Sequence, residues 1–211
     1  MDKKIVEEFV QGELIGDRSG HDFMHVQRVV NMSLKLANQF ICDMDIVLLS
    51  AYLHDIIDDK VVDDVNKVKI LLNEKLEHWN MSFSKRCKIF EIIEHISFSK
   101  NLEEKYKLPI EGQVVQDADR LDAIGAIGIA RAFYYGGHVC NPMHDTNFSV
   151  RNNLTENSYR EENTITNHFH EKLLKLEGLM NTKIAKNIAK ERTVFMYAFL
   201  KRFYREWNSE E

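Results

Sequence analysis

From Ile46 to Leu53 the chain is apolar on every side, through Ile46, Val47, Leu48, Leu49, Ala51, Tyr52 and Leu53, and the pair His54-Asp55 follows at once. A helix apolar around its whole circumference has no solvent face, so this segment predicts a core helix. An ionised carboxylate costs on the order of several kcal/mol to bury unless a cation or strong donors compensate it. The pair that ends the segment therefore needs something set against it.

Two other segments carry matching ligand types. Upstream, His21-Asp22-Phe23-Met24-His25-Val26-Gln27-Arg28-Val29 opens an amphipathic helix with His21 and His25 four apart, on one face. Downstream, Gln116-Asp117-Ala118-Asp119-Arg120-Leu121-Asp122-Ala123 sets Asp119 and Asp122 three apart on another helix. One histidine from the first, the pair from the second and one carboxylate from the third make a nitrogen and oxygen set without sulfur. Such a set suits Mn²⁺, Fe²⁺, Co²⁺, Ni²⁺ or Zn²⁺, with Mg²⁺ less favoured by imidazole.

The rest of the chain shows helical periodicity and no convincing strand alternation. Ile89, Ile92, Ile93 and Ile96 follow the i, i+3, i+4, i+7 pattern, and Val65, Val68, Leu71, Leu72 and Leu76, and Leu173, Leu174, Leu176 and Leu179, resemble it. The two prolines, Pro109 and Pro142, both fall in connections. An all-α, single-domain helical bundle is expected over 1–211, with no internal repeat. One helix is expected from about Gly112 to Tyr135, its small residues allowing close backbone approach, with Gly136-Gly137 as a left-handed C-cap. From His138 to about Asn163 the chain turns polar and reads as a long loop, either a substrate lid or an inert surface excursion.

The order H…HD…D, filled by His25, His54, Asp55 and Asp119, resembles the HD-domain superfamily of metal-dependent phosphohydrolases. The segments Gly20-His21-Asp22-x-x-His25-x-x-Arg28-Val29, Glu111 to Tyr135 and Asn167 to Leu174 are closer still to a bacterial branch that includes nucleotide pyrophosphohydrolases. The resemblance covers nearly the whole chain and implies one HD-type domain over 1–211. It implies a divalent metal held by His25, His54, Asp55 and Asp119, with Mn²⁺ foremost and Ni²⁺, Co²⁺, Fe²⁺, Zn²⁺ or Mg²⁺ as alternatives. In the related alarmone hydrolases an HD-x-x-ED pattern supplies acidic residues that position or activate water. Asp58 and Asp59 fill those places, the first with a shorter carboxylate; alternatively both end the helix in solvent.

Five further residues are candidates for substrate binding. His21 is a phosphate contact or an exposed histidine beside an Asp22 helix cap. Arg28 meets a phosphate with its planar donor fork or forms a surface ion pair. His95 and Lys100 lie where the isoleucine helix closes, as an acid or phosphate contact and as a neutralising cation, or as structural residues. Asp122 sits where the alarmone hydrolases carry an asparagine that faces the nucleotide.

Composition agrees with these readings. The 211 residues are 44% hydrophobic and 29% charged, enough for one sizeable soluble domain. With 28 basic and 33 acidic residues the formal charge is −5, which argues against a stable nucleic-acid partner and leaves a small anionic substrate open. Cys42, Cys87 and Cys140 are odd in number and show no C-x-x-C spacing, so reduced thiols in the cytoplasm are expected. Neither a secretory leader nor a bilayer-length apolar run is visible, so no membrane association is expected. The expected function is a nucleoside triphosphate pyrophosphohydrolase acting on a small phosphorylated substrate. The alternatives are an alarmone or cyclic-nucleotide hydrolase and a metal-stabilised nucleotide sensor without turnover; a homo-oligomer is compatible with each.

Overall fold

A computed structural model describes residues 2–16, 20, 22–57, 64–102, 105–159 and 161–210; His21, Asp58 and Asp59 lie outside the described residues. All regular structure among those described is helical, so the all-α expectation holds. The starts of the early helices are chemically marked. α1 (Lys3–Glu13), α2 (Phe23–Ala37), α3 (Met44–Leu53) and α4 (Val65–His78) follow Asp2, Asp22, Asp43 and Asp64, and α5 (Phe83–His95) follows Ser82. Each of these side chains accepts a backbone N–H of the first turn, which satisfies a donor the helix cannot.

The chain forms two compact units, Met1–Ala118 and Asp119–Glu211, and the division falls inside α6 (Ile110–Asp122). The first unit is built around α3, which packs on α2, α5 and α1. Ile46, Val47, Leu49, Ala51, Tyr52 and Leu53 are all buried, as a helix without a polar face requires. Val6 and Val10 of α1, Val26, Val29 and Val30 of α2, and Ile89, Ile92 and Ile93 of α5 belong to the same core. Each such side chain contributes about 1.5–3 kcal/mol by leaving water. The stripe expected on α4 is narrower: Leu72 and Leu76 are buried and Leu71 is exposed. Tyr52 donates to Glu7 Oε1 at 2.6 Å, tying α1 to α3; burial, helped by that carboxylate, pushes its phenol well above the ordinary range.

The second unit holds α7 (Gly125–His138), α8 (Glu156–Tyr159), α9 (Ile165–Glu171), a 3₁₀ segment Leu173–Leu179 and α10 (Lys183–Trp207). α10 packs on α7 and on the 3₁₀ segment, and Phe133, Phe169, Phe199 and Phe203 bring their rings together there. The leucines of 173–179 therefore lie on a tighter helix than their spacing suggested, with Leu173 and Leu176 buried three residues apart on one side.

The helix expected over 112–135 is two helices. α6 stops at Asp122, Ile124 is extended, and Gly125 opens α7 at φ +77°, a conformation that a side chain would strain. Arg192 of α10 accompanies the break: its Nη1 donates to the Leu121 carbonyl, which also accepts the Ile124 N–H at 3.2 Å in a tightened last turn. Burial lowers the Arg192 pKa from its ordinary value, partly offset by Asp122. Gly136 and Gly137 do not cap α7, which continues to His138 and ends at Val139. Gly136 is instead a close-approach position, where a Cβ would run into the Ile165 side chain.

The polar stretch after α7 is irregular up to α8 and is pinned along its length. Ile165 and Thr166 donate their N–H groups to the carbonyls of Pro142 and Met143 at 2.9 and 3.0 Å. Arg151 grips the buried Glu171 with two parallel bonds of 2.9 and 2.7 Å, and Asn163 donates to the same carboxylate at 2.7 Å.

Candidate active site

The end of α3 sets the geometry. His54 is its C-cap residue, with helical backbone angles, and its Nδ1 donates to the Ala51 carbonyl at 2.9 Å. That bond keeps the proton on Nδ1 and leaves a lone pair on Nε2. His25 lies in the first turn of α2, where Asp22 Oδ1 accepts its backbone N–H at 2.8 Å. The two imidazoles meet with Nε2 atoms 3.2 Å apart. Asp55 Oδ2 lies 3.3 Å from each. His25, His54 and Asp55 are 0, 4 and 7% exposed, so a carboxylate and two rings share a site nearly closed to water.

α6 brings a second carboxylate. Its N-terminal half is held within the first unit by two polar contacts: Glu111 Oε1 accepts the backbone N–H of Asp43 at 2.9 Å, and Gln116 Nε2 donates to the Ile96 carbonyl at 3.0 Å. Asp119 follows Gln116 by three residues on this helix. His25, His54 and Asp119 each offer a ligand atom, and these atoms all lie within 4.8 Å of one another, so the group can hold a metal ion. The donor chemistry fits a divalent cation. Edges of 3.2 and 3.3 Å among two nitrogens and an oxygen are those of neighbouring ligands with bonds of about 2.0–2.3 Å.

The remaining candidates are placed as follows. Arg28 is half-buried on α2, one turn after His25. His95 closes α5 and is half-buried, with Nδ1 2.7 Å from the Glu91 carbonyl and its ring stacked on Tyr106. Lys100 is exposed and donates from Nζ to the Glu94 carbonyl at 3.1 Å, so it serves the C-terminal end of α5. Asp122 is buried and accepts from Arg131 Nη1 at 2.9 Å, which gives its charge a partner within the protein. Sequence reasoning passed over Glu111 and Gln116 as supports of α6, and Tyr106 beside His95. A glutamate in the first turn and a glutamine in the middle of an apolar-striped helix were the available signal, but their partners are distant in the chain.

Comparisons with known proteins agree with this architecture. The HD-domain family profile matches residues 22–124, the span from the Asp22 cap through α6. A crystal structure of a Lactobacillus plantarum protein is similar at 42% identity and a TM-score of 0.90, over 98% of this chain and 97% of that one. An HD-superfamily hydrolase from Bacillus thuringiensis is similar at 36% identity and a TM-score of 0.75, over 98% of this chain and 96% of that one. The Bacillus subtilis protein YpgQ is 35% identical over 94% of this chain and 90% of its own length. Its crystal structure in complex with ADP aligns with a TM-score of 0.77 at 29% identity, over 97% of each chain. The chain belongs to the HD-domain superfamily, and with a helical fold and a buried His/Asp cluster it is a metal-dependent phosphohydrolase. No helix among the described residues is long and apolar enough to cross a membrane.

Proposed function

We propose that the chain is a single-domain nucleoside triphosphate pyrophosphohydrolase that releases a nucleoside monophosphate and pyrophosphate. The observation that carries this reading is the convergence of His25 Nε2, His54 Nε2 and one oxygen of Asp55, with Asp119 delivered by α6. The complex of the relative YpgQ with ADP supports a nucleotide as the substrate class. The cytoplasm, which holds nucleotides and keeps thiols reduced, is the compartment this reading implies.

His25, His54, Asp55 and Asp119 would hold one divalent cation, Mn²⁺ foremost. Such an ion supplies positive charge that activates water and offsets charge developing on phosphorus. The protein supplies the rest. The His54 bond to Ala51 fixes the tautomer that keeps Nε2 available, and burial of the triad excludes competing water. Asp58, three residues beyond Asp55, accepts the proton of the attacking water, with Asp59 as the competing candidate. Arg28 binds a phosphate oxygen one turn from His25, a task suited to a guanidinium. Phosphoryl-group hydrolysis needs positioning and charge more than a covalent nucleophile.

The test is to incubate metal-loaded protein with ribo- and deoxyribonucleoside triphosphates and resolve the products. Pyrophosphate with matching monophosphate is the expected outcome. Orthophosphate with accumulating diphosphate contradicts the reading, and nucleotide binding without turnover makes the protein a sensor.

A further inference from the structure

α5 ends at His95, and Tyr106 lies against that ring. Tyr106 stacks on the imidazole with ring centroids 3.8 Å apart and planes 19° from parallel. The Tyr106 hydroxyl donates to Glu91 Oε1 at 2.9 Å, one turn earlier on α5. Asn101 closes the loop: its Nδ2 donates to the carbonyls of His95 and Ser97 at 2.7 and 2.8 Å, and its Oδ1 accepts the Tyr106 backbone N–H at 3.2 Å.

His95 Nδ1 donates to the Glu91 carbonyl at 2.7 Å, the arrangement that also fixes His54 against Ala51. The free end of the ring is thus Nε2, which has no hydrogen-bond partner among the described residues. A half-buried imidazole held by a back-bond and by a stacked ring, which Asn101 in turn ties to the His95 backbone, has little rotamer freedom left to lose on binding. The Lys100 ammonium sits at the same helix end, on the Glu94 carbonyl, and adds positive charge there. Gln116 joins the Ile96 carbonyl to α6 one turn before Asp119.

We propose that Tyr106 is a positioning residue that aims His95 Nε2 at a phosphate oxygen of the nucleotide, with His95 as the contacting residue. This rests on the pyrophosphohydrolase reading and adds a phosphate contact at the end of α5. The experiment compares KM and kcat for a nucleoside triphosphate, equilibrium ADP binding and melting temperature across His95→Ala, His95→Gln, Tyr106→Phe, Tyr106→Leu and the double variant His95→Ala/Tyr106→Leu. His95→Ala should raise KM by about 10-fold or more with kcat changed by less than about 3-fold, the pattern of a lost binding contact. His95→Gln, which returns an N–H near Nε2, should recover part of that loss. Tyr106→Leu should raise KM several-fold in the native background and no further in the His95→Ala background, because it acts through His95. Tyr106→Phe, which keeps the ring and loses the Glu91 bond, should fall between.

A KM for His95→Ala within about 2-fold of native, or a Tyr106→Leu effect that persists in full without His95, overturns the proposal while leaving pyrophosphate release intact. If the native protein hydrolyses no nucleoside triphosphate, the parent reading falls, and ADP affinity then decides this one: a weaker affinity in His95→Ala supports it and an equal one overturns it. A native protein that neither hydrolyses nor binds nucleotide overturns both.

Discussion

The Nε2 atoms of His25 and His54, 29 residues apart in the chain, lie 3.2 Å from each other and 3.3 Å from the same oxygen of Asp55. Two α-helices that pack along their lengths would bring these rings close in any case. The bond from His54 Nδ1 to Ala51 is what turns a lone pair toward His25. A buried carboxylate between two such nitrogens is best compensated by a cation.

Divalent metal should therefore stabilise the protein. With free metal at about 100 times its dissociation constant the gain is about 2.7 kcal/mol, seen as a rise in melting temperature that a chelator reverses. His54→Ala should abolish both the rise and the bound metal measured by elemental analysis. Full occupancy in that variant would show that the ion sits elsewhere.

Asp58 is expected to serve the reaction without holding the metal. Asp58→Asn keeps the shape and removes the basic oxygen, so turnover should fall by roughly 10² or more with metal content unchanged. A near-native Asp58→Asn beside an inactive Asp59→Asn moves the role one residue along. If both stay active, neither is the proton acceptor.

The turn between α6 and α7 makes a stability prediction. A Cβ at Gly128 would collide with the Ala123 backbone, which cannot shift without reopening the turn, whereas nothing lies within 4 Å of one at Gly137. Gly128→Ala should cost about 1–3 kcal/mol as overpacking. Gly137→Ala should be neutral or stabilise by up to about 1 kcal/mol through helix propensity. Thermal unfolding of the two should differ by several degrees; equal melting temperatures would contradict the backbone contact.

The HD helix was legible because a segment with no polar face has one destination, and the ligand types around it stand at helical spacing. The break after Asp122 was not. Alanine and glycine leave the backbone uncommitted there, and Arg192, which donates to the Leu121 carbonyl at the break, arrives from 71 residues away. The supports of the site, Glu111 under Asp43 and Gln116 under Ile96, are likewise long-range pairings that no local period encodes. The start of α2 shows the opposite case, since Asp22 three residues before His25 is a local signal and does cap the helix.

Acid should loosen the start of α3. Burial by itself would raise the Asp43 carboxyl, but its bonds to Lys85 and to the N–H groups of Ile46 and Asp45 outweigh this and hold it below its ordinary 3.8. A depressed carboxyl stabilises the fold above its unfolded value and loses that contribution as pH falls through the folded value. Asp43→Ala should lose about 1 kcal/mol near neutrality from the missing cap, and the gap to the native protein should close below about pH 4. A gap of constant size across that range would contradict the assignment.

Hydrolysis of a nucleoside triphosphate in ¹⁸O-enriched water, followed by ³¹P resonance, tests the central claim most directly. Attack at the α-phosphorus places the heavy oxygen on the nucleoside monophosphate and leaves the pyrophosphate unlabelled, in a reaction that stops when metal is removed. Label in pyrophosphate or orthophosphate, or turnover that survives a chelator, would contradict the account.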